Sequence, residues 1–225
     1  MKPKDLKALF TWEERRPIIE DRIFHVPDRY EFHHAFSFPA WKEEILFGNE
    51  REVKIEFCSG NGKWILEKAQ KEPLTNWVAV EWNYSRVRKI WSKIKNHGLT
   101  NLIVVSGEAL TFSSNYIPAR SIKEIFINFP DPWPKTKHEK HRLIKPSFVQ
   151  ELNRILQENG AVTFVTDDER YLEWTLKHFL QSQLFDPLHP HPHVIEEKSG
   201  YGTSFFEELW RAQGKKIQFL ELVKR

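Results

Sequence analysis

VKIEFCSGNGKWILEKAQKEPLTNWVAVE, residues 53–81, decides the architecture. VKIEF (53–57) is a short apolar run rich in β-branched residues, and a turn with Gly60 and Gly62 follows it. KWILEKAQ (63–70) has the length and amphipathic spacing of a helix, and WVAVEW (77–82) is a second strand-like run. Strand, glycine turn, helix and strand in that order form a βαβ unit, whose strands are parallel. The alternation continues downstream. Asn83 can cap a helix carrying Val87, Ile90, Trp91 and Ile94 at i, i+3, i+4 and i+7, closed by Gly98. NLIVVS (101–106) and IKEIFINF (122–129) read as the third and fourth strands. Pro146 opens a helix with Phe148, Leu152, Ile155 and Leu156 on one face and Gly160 at its end. AVTFVT (161–166) is a fifth strand, and the next helix carries Leu172, Leu176, Phe179 and Leu180. The class is therefore α/β, with a mostly parallel sheet covered on both faces.

Outside this run the signals are weaker. Residues 1–35 mix charge, proline and aromatics (Trp12, Arg15, Arg16, Pro17, Pro27) without a period and read as an N-terminal arm, with residues 36–225 as one domain. Pro39 and Gly48 bracket a short helix over WKEEILF (41–47). LHPHPHVIEEKSGYG (188–202) alternates His189, His191 and His193 with proline; it reads as a solvated connector, not a metal ligand set. A helix over 204–212 and a last strand, KIQFLELV (216–223), end the chain.

Composition excludes several classes. An apolar fraction of 40% and an aromatic fraction of 14% over 225 residues suit a folded domain, not a disordered one. The single cysteine, Cys58, excludes an internal disulfide and argues against zinc. No apolar run approaches the ~20 residues of a membrane span, and the N-terminus lacks a signal-peptide core, so a cytoplasmic location is expected. The net charge of +3 says little about partners; its distribution says more.

In open parallel sheets ligands bind beyond the carboxyl ends of strands. Here those ends carry acids: Glu56 in the first strand, Glu81 closing the second and Glu108 after the third. Gly60 and Gly62 allow backbone to approach a ligand closely. Glu81 suits the ribose hydroxyls of an adenosine cofactor and Glu108 its adenine amino group. A full GxGxxG is missing, which disfavours a dinucleotide and favours S-adenosylmethionine, with Glu56 toward its ammonium end. After the fourth strand comes FINFPDPWPKTKHEKHRL (126–143). Pro130, Pro132 and Pro134 push Phe129, Asp131 and Trp133 toward extended geometry, which predicts a stiff loop. Lys135, Lys137, Lys140, Arg142 and Lys145 follow, opposed only by Glu139, with His138 and His141 between them. This is a phosphate-binding surface beside an acid. Trp133 either stacks on a base or packs on the sheet.

With Glu56, Glu81, Glu108 and FPDPWPKTKHEKHRL aligned, the chain from about Ile55 onward resembles the bacterial tRNA (guanine-N7-)-methyltransferases. The resemblance implies a Rossmann-like class I fold with a seven-stranded sheet ending in an antiparallel hairpin. It also implies methyl transfer from S-adenosylmethionine to N7 of a guanine in the tRNA variable loop. Carried over residue by residue, Glu56, Glu81, Glu108 and Asp131 serve the cofactor, with Asp131 also catalytic. Lys135, Asp167 and the stretch Ser204, Phe205, Phe206 and Glu207 match substrate positions. Lys137, His138, Lys140 and Arg142 are expected to contact RNA. Cys58 stands where the family has glycine, His141 for an arginine and Ser204 for a threonine, with Thr203 next to it. A monomer or homodimer without metal or obligate partner is expected. The alternatives are a class I methyltransferase on another nucleic acid and a non-catalytic RNA-binding module.

Overall fold

The computed structural model describes every residue except 12, 14, 15 and 29, so the expected roles of Trp12 and Arg15 in the arm lie outside the described residues. The chain divides into two units, Met1–Ile117 and Pro118–Arg225. The first holds β1 (Ile18–Glu20), β2 (Ile23–His25), β3 (Val53–Phe57), α1 (Lys63–Lys71), β4 (Asn76–Glu81), α2 (Tyr84–His97), β5 (Leu102–Ser106) and α3 (Ala109–Tyr116). Its strands run in the order β1-β2-β5-β4-β3, parallel from β2 to β3. β4 is buried along its whole length, as a central parallel strand covered on both faces must be. Trp64 meets Trp77 edge-on at 5.8 Å, and Trp91, Phe24, Phe57 and Phe112 complete the largest buried side chains of this unit.

The first 35 residues supply sheet, not only an arm. Asp21 and Arg22 take φ of 47° and 68°, the left-handed pair of a tight hairpin, and join β1 to β2. β2 then pairs with β5, Ile23 opposite Val104 and His25 opposite Ser106. Strands of three residues are too short to show a period, which is why the sequence hid them. The expected helix over 41–47 is absent: Leu46, Phe47 and Gly48 all donate to the Glu43 carbonyl, giving a knot of turns between Pro39 and Gly48. α3 went unread because ALTFSSNY is a poor helix former, and its start depends on a cap described below.

The second unit holds β6 (Ile122–Asn128), α4 (Pro146–Ile155), β7 (Leu156–Thr166), α5 (Glu169–Ser182), β8 (Phe185–Pro187), β9 (Val194–Ile195), α6 (Phe205–Ala212) and β10 (Gln218–Lys224). β6 and β7 are parallel, and β10 runs antiparallel between β7 and β8, which is the expected terminal hairpin. The seven expected strands correspond to β3–β8 and β10, with β1, β2 and β9 as short additions. α4 stops five residues before Gly160, and Leu156, expected on its apolar face, opens β7 instead. The Arg154 and Ile155 carbonyls accept from the Arg120 and Ser121 N–H groups, which ends the helix. Gly160 sits in a bulge of β7, where a Cβ would lie 2.9 Å from the Gln157 carbonyl and 3.1 Å from that of Lys123. Leu180, placed on the apolar face of α5, is 44% exposed. In the histidine–proline connector, His189 Nε2 hydrogen-bonds Glu221 at 2.8 Å and His193 Nδ1 meets the His189 carbonyl at 2.8 Å.

Candidate functional site

Because β3, β4 and β5 are parallel and in register, their carboxyl ends lie along one edge. Glu56 and Glu81 are each only 2% exposed there, and both were expected to hold a cofactor. Glu81 accepts from the Gly60 N–H at 2.9 Å and the Asn83 N–H at 2.8 Å, and Arg86 stands 3.9 Å away. Burial raises its pKa, and those N–H groups and Arg86 only partly offset the rise. Glu108 is exposed and caps α3, accepting from the Leu110 N–H at 3.0 Å, the Thr111 N–H at 2.6 Å and the Thr111 hydroxyl at 2.8 Å. A carboxylate offers about four acceptor positions, so the cap leaves capacity for a donor.

The turn between β3 and α1 requires left-handed backbone at Cys58 (φ 63°), Gly60 (55°) and Gly62 (72°). Gly62 is doubly constrained, since a Cβ there would lie 2.6 Å from Ile90 Cγ1 of α2. The Cys58 thiol is pushed up by burial first, and then by the charges of Glu81, Glu56 and Glu108. Three carboxylates thus impose negative potential on one glycine turn, an environment that fits the sulfonium and ammonium charges of S-adenosylmethionine and keeps the thiol neutral. Cys58 also carries steric strain that glycine would not. Left-handed backbone costs roughly 1–2 kcal/mol, more than the ~0.5–1 kcal/mol that glycine's chain entropy costs. Cys58→Gly is therefore expected to stabilise the protein by up to ~1 kcal/mol, moving the melting temperature up by about 2–4 °C. An unchanged or lower midpoint on thermal unfolding would count against the strain.

In the second unit the proline loop departs from its expected geometry. Phe129 and Trp133 adopt φ of 49° and 45° instead of extended values. Two contacts hold these strained positions: the Phe129 N–H donates to the Val165 carbonyl at 2.9 Å, and the Trp133 N–H donates to Asp131 Oδ1 at 3.2 Å. Asp131 is exposed. Trp133 faces two histidines, His138 at 5.7 Å and His141 at 5.2 Å from its ring centre. Lys135, Lys137 and Lys140 are exposed, on or beside the 3-10 turn Thr136–His141, and His138 is half-buried.

Arg142 is a correction. Expected at the RNA surface, it is 3% exposed; its Nε donates to the Pro132 carbonyl at 2.8 Å and its guanidinium lies 4.9 Å from the Trp174 ring centre. It fastens the loop from inside.

The other residues expected to meet substrate lie in or near α6. Ser204, standing for the family's threonine, accepts from the Glu207 N–H at 3.0 Å and caps the helix, while Thr203 Oγ1 lies 3.4 Å from Glu208. Phe205 is 47% exposed, and Phe206 faces the Phe129 ring at 6.4 Å. Glu207 is 5% exposed; its Oε1 accepts from Arg211 Nε at 3.0 Å, and its Oε2 has no hydrogen-bond partner among the described residues. Asp167 pairs with Lys215, whose ammonium sits 3.8 Å from the Trp210 ring centre. Sequence reasoning missed Tyr201, whose hydroxyl donates to Asn128 Oδ1 at 2.5 Å and ties the segment before α6 to the end of β6. Nothing in the sequence marks that pair. Among the described residues no group of three or more His, Cys, Asp or Glu could hold a metal, and no helix is long and apolar enough to cross a membrane.

The family described as "Putative methyltransferase" matches residues 50–220. The tRNA (guanine-N(7)-)-methyltransferase of Chlamydia muridarum is 47% identical over 225 residues, covering 100% of this chain and 99% of its own. That of Chlamydia trachomatis serovar D is 46% identical over the same span, with the same coverage. Among solved structures, one titled "Structure of an Antibiotic Related Methyltransferase" superposes with a TM-score of 0.55 at 20% identity, covering 80% of this chain and 89% of that one. At that identity it supports the fold alone.

Proposed function

The chain belongs to the tRNA (guanine-N(7)-)-methyltransferase family, which methylates N7 of guanine in tRNA from S-adenosylmethionine, and from that premise we propose how its residues divide the work and that the target guanine lies in the variable loop. When bound, S-adenosylmethionine supplies an electrophilic methyl group on a sulfonium. Guanine N7 already presents a lone pair, so no proton need be removed first and no general base is required. The residues have to position the base, hold the cofactor and match charge as it moves onto the purine.

Glu56 and Glu81 are assigned to the cofactor, with Gly60 and Gly62 giving close backbone approach and Glu108 adding a third carboxylate. Asp131 is assigned to the reacting groups as a fixed negative charge. The buried, unpartnered Oε2 of Glu207 carries the substrate side of this reading. Such an atom needs a donor, and guanine offers N1–H and N2–H on the edge opposite N7. Holding guanine by that edge leaves N7 free to react. Ser204 and Phe206 would shape this pocket, Phe205 would meet the base or its neighbours, and Asp167 and Lys135 would flank it. Lys137, His138 and Lys140 are assigned to the phosphates. We also propose a cytoplasmic enzyme, monomeric or homodimeric, that needs no partner subunit.

The test is incubation with S-adenosylmethionine and unmodified tRNA, then borohydride reduction and aniline cleavage at 7-methylguanosine. Cleavage within the variable loop is expected. Cleavage elsewhere overturns the site, and none at all overturns the activity.

A further inference from the structure

α2 carries Arg86, Arg88, Lys89, Lys93 and Lys95 and no acidic residue. Arg86 and Lys95 face carboxylates, of Glu81 and Asp21, and Arg88 lies over the Tyr84 ring. Lys89 and Lys93 differ: neither forms an ion pair with a carboxylate among the described residues. They stand one helical turn apart, on either side of Ile90, and Ile90 is the residue that packs into the space left by Gly62. This close approach brings α2 against the turn before α1, where Lys93 Nζ donates to the Asn61 carbonyl at 2.8 Å. Lys63, the first residue of α1, is near enough to act on Lys93 electrostatically, as is Lys89.

The Lys93 ammonium is half-buried, and its pKa is lowered by burial first and then by repulsion from Lys89 and Lys63. A carbonyl satisfies one of its donors but does not neutralise its charge. A fold that gathers ammonium groups at this turn, and desolvates one of them, meets its cost when an anion arrives. Lys89 is exposed, so the cluster is open to a macromolecular ligand.

We propose that Lys89 and Lys93, with Lys63 beside them, bind a backbone phosphate of the tRNA, as a contact separate from the basic loop at 135–140. The proposal rests on the tRNA reading above and extends it to a surface of the first unit. A phosphodiester is the fitting ligand because the site offers positive charge and ammonium donors, which suit phosphate oxygens and carry no base readout.

The exposed lysine gives the cleaner test. Lys89→Glu is expected to weaken tRNA binding roughly ten-fold at low salt and to reduce the slope of log K against log salt by ~0.7–0.9. Turnover at saturating tRNA and the affinity for S-adenosylhomocysteine, by calorimetry, should stay at wild-type values. Lys93→Gln, which keeps a donor for the Asn61 carbonyl, should reduce the slope in the same direction. An unchanged slope in Lys89→Glu overturns the proposal. So does weaker S-adenosylhomocysteine binding with the slope intact, which would make the lysines supports of the glycine turn. The same wild-type preparation is assayed for tRNA methylation. Activity with an unchanged slope removes the phosphate contact alone, whereas absent activity removes the tRNA reading and the contact with it.

Discussion

Asp131→Ala is expected to lower turnover about 10²–10³-fold while leaving the melting temperature and tRNA affinity near wild type. The size follows from Coulomb's law. A unit charge 4 Å from the charge developing on the purine is worth about 1 kcal/mol in bulk water and about 4 kcal/mol at an effective dielectric of 20. Each 1.36 kcal/mol is a factor of ten in rate, so the upper part of that range applies only if bound substrates exclude water from the exposed carboxylate. The fold should survive because Asp131 buries little, and among the described residues its side chain makes one hydrogen bond, from the Trp133 N–H at 3.2 Å. That contact gives the experiment its second arm. Asp131→Asn keeps an acceptor for Trp133 and removes the charge. If charge matching dominates, Asn falls nearly as far as Ala in single-turnover rate; if loop positioning dominates, Asn stays close to wild type. Near-normal rates in both variants would remove Asp131 from the chemistry.

Much of the first unit was legible because its signals are local. A β-branched run, a glycine turn and the Asn83 cap, whose side chain accepts from the Ser85 N–H at 3.0 Å, fix β3 through α2 with little help from distant contacts. The acids at the strand ends were legible for the same reason, since parallel strands align their carboxyl ends. What could not be read depends on partners far along the chain. β2 exists because β5 offers an edge some eighty residues later, at Val104 to Ser106. α4 ends at Ile155 because Arg120 and Ser121 take its last carbonyls. Prolines after Phe129 and Trp133 argue for extended backbone, yet the Val165 carbonyl and the Asp131 carboxylate hold both residues at positive φ. Glu108 was found by position, but its work as the cap of α3 was hidden because the helix itself was not seen.

Arg142→Ala is expected to destabilise the protein by about 3 kcal/mol, lowering the melting temperature by ~6–12 °C, and to cut methyl transfer without changing the salt dependence of tRNA binding. In a run of five cations it reads as one more phosphate contact; burial assigns it otherwise. Its Nε holds the Pro132 carbonyl at 2.8 Å, its Nη1 meets Glu139 at 3.3 Å, and its guanidinium lies against the Trp174 and Tyr171 rings of α5 at 4.9 and 5.4 Å. Those two side chains in turn bind Ile144, the Trp174 indole N–H donating to its carbonyl at 2.7 Å and the Tyr171 hydroxyl accepting from its N–H at 3.3 Å. Both ends of the loop, 132 and 144, are thereby fastened to one helix, with Asp131 next to the first fastening. Removing the guanidinium costs the ring contacts and the hydrogen bond, but Glu139 is 33% exposed and can be resolvated, so the loss stays near the lower end expected for breaking a buried pair. Arg142→Lys should recover only part of it, because an ammonium lacks the planar fork that reaches Pro132 and Glu139 while stacking on the rings. Lys135→Ala is the contrasting case: an exposed cation whose loss should leave the melting temperature alone and reduce the salt slope by ~0.7. If Arg142→Ala instead behaved like Lys135→Ala, with a normal melting temperature and a flatter slope, the side chain would have to leave its place between the rings to reach RNA, and the loop would be held by its prolines alone.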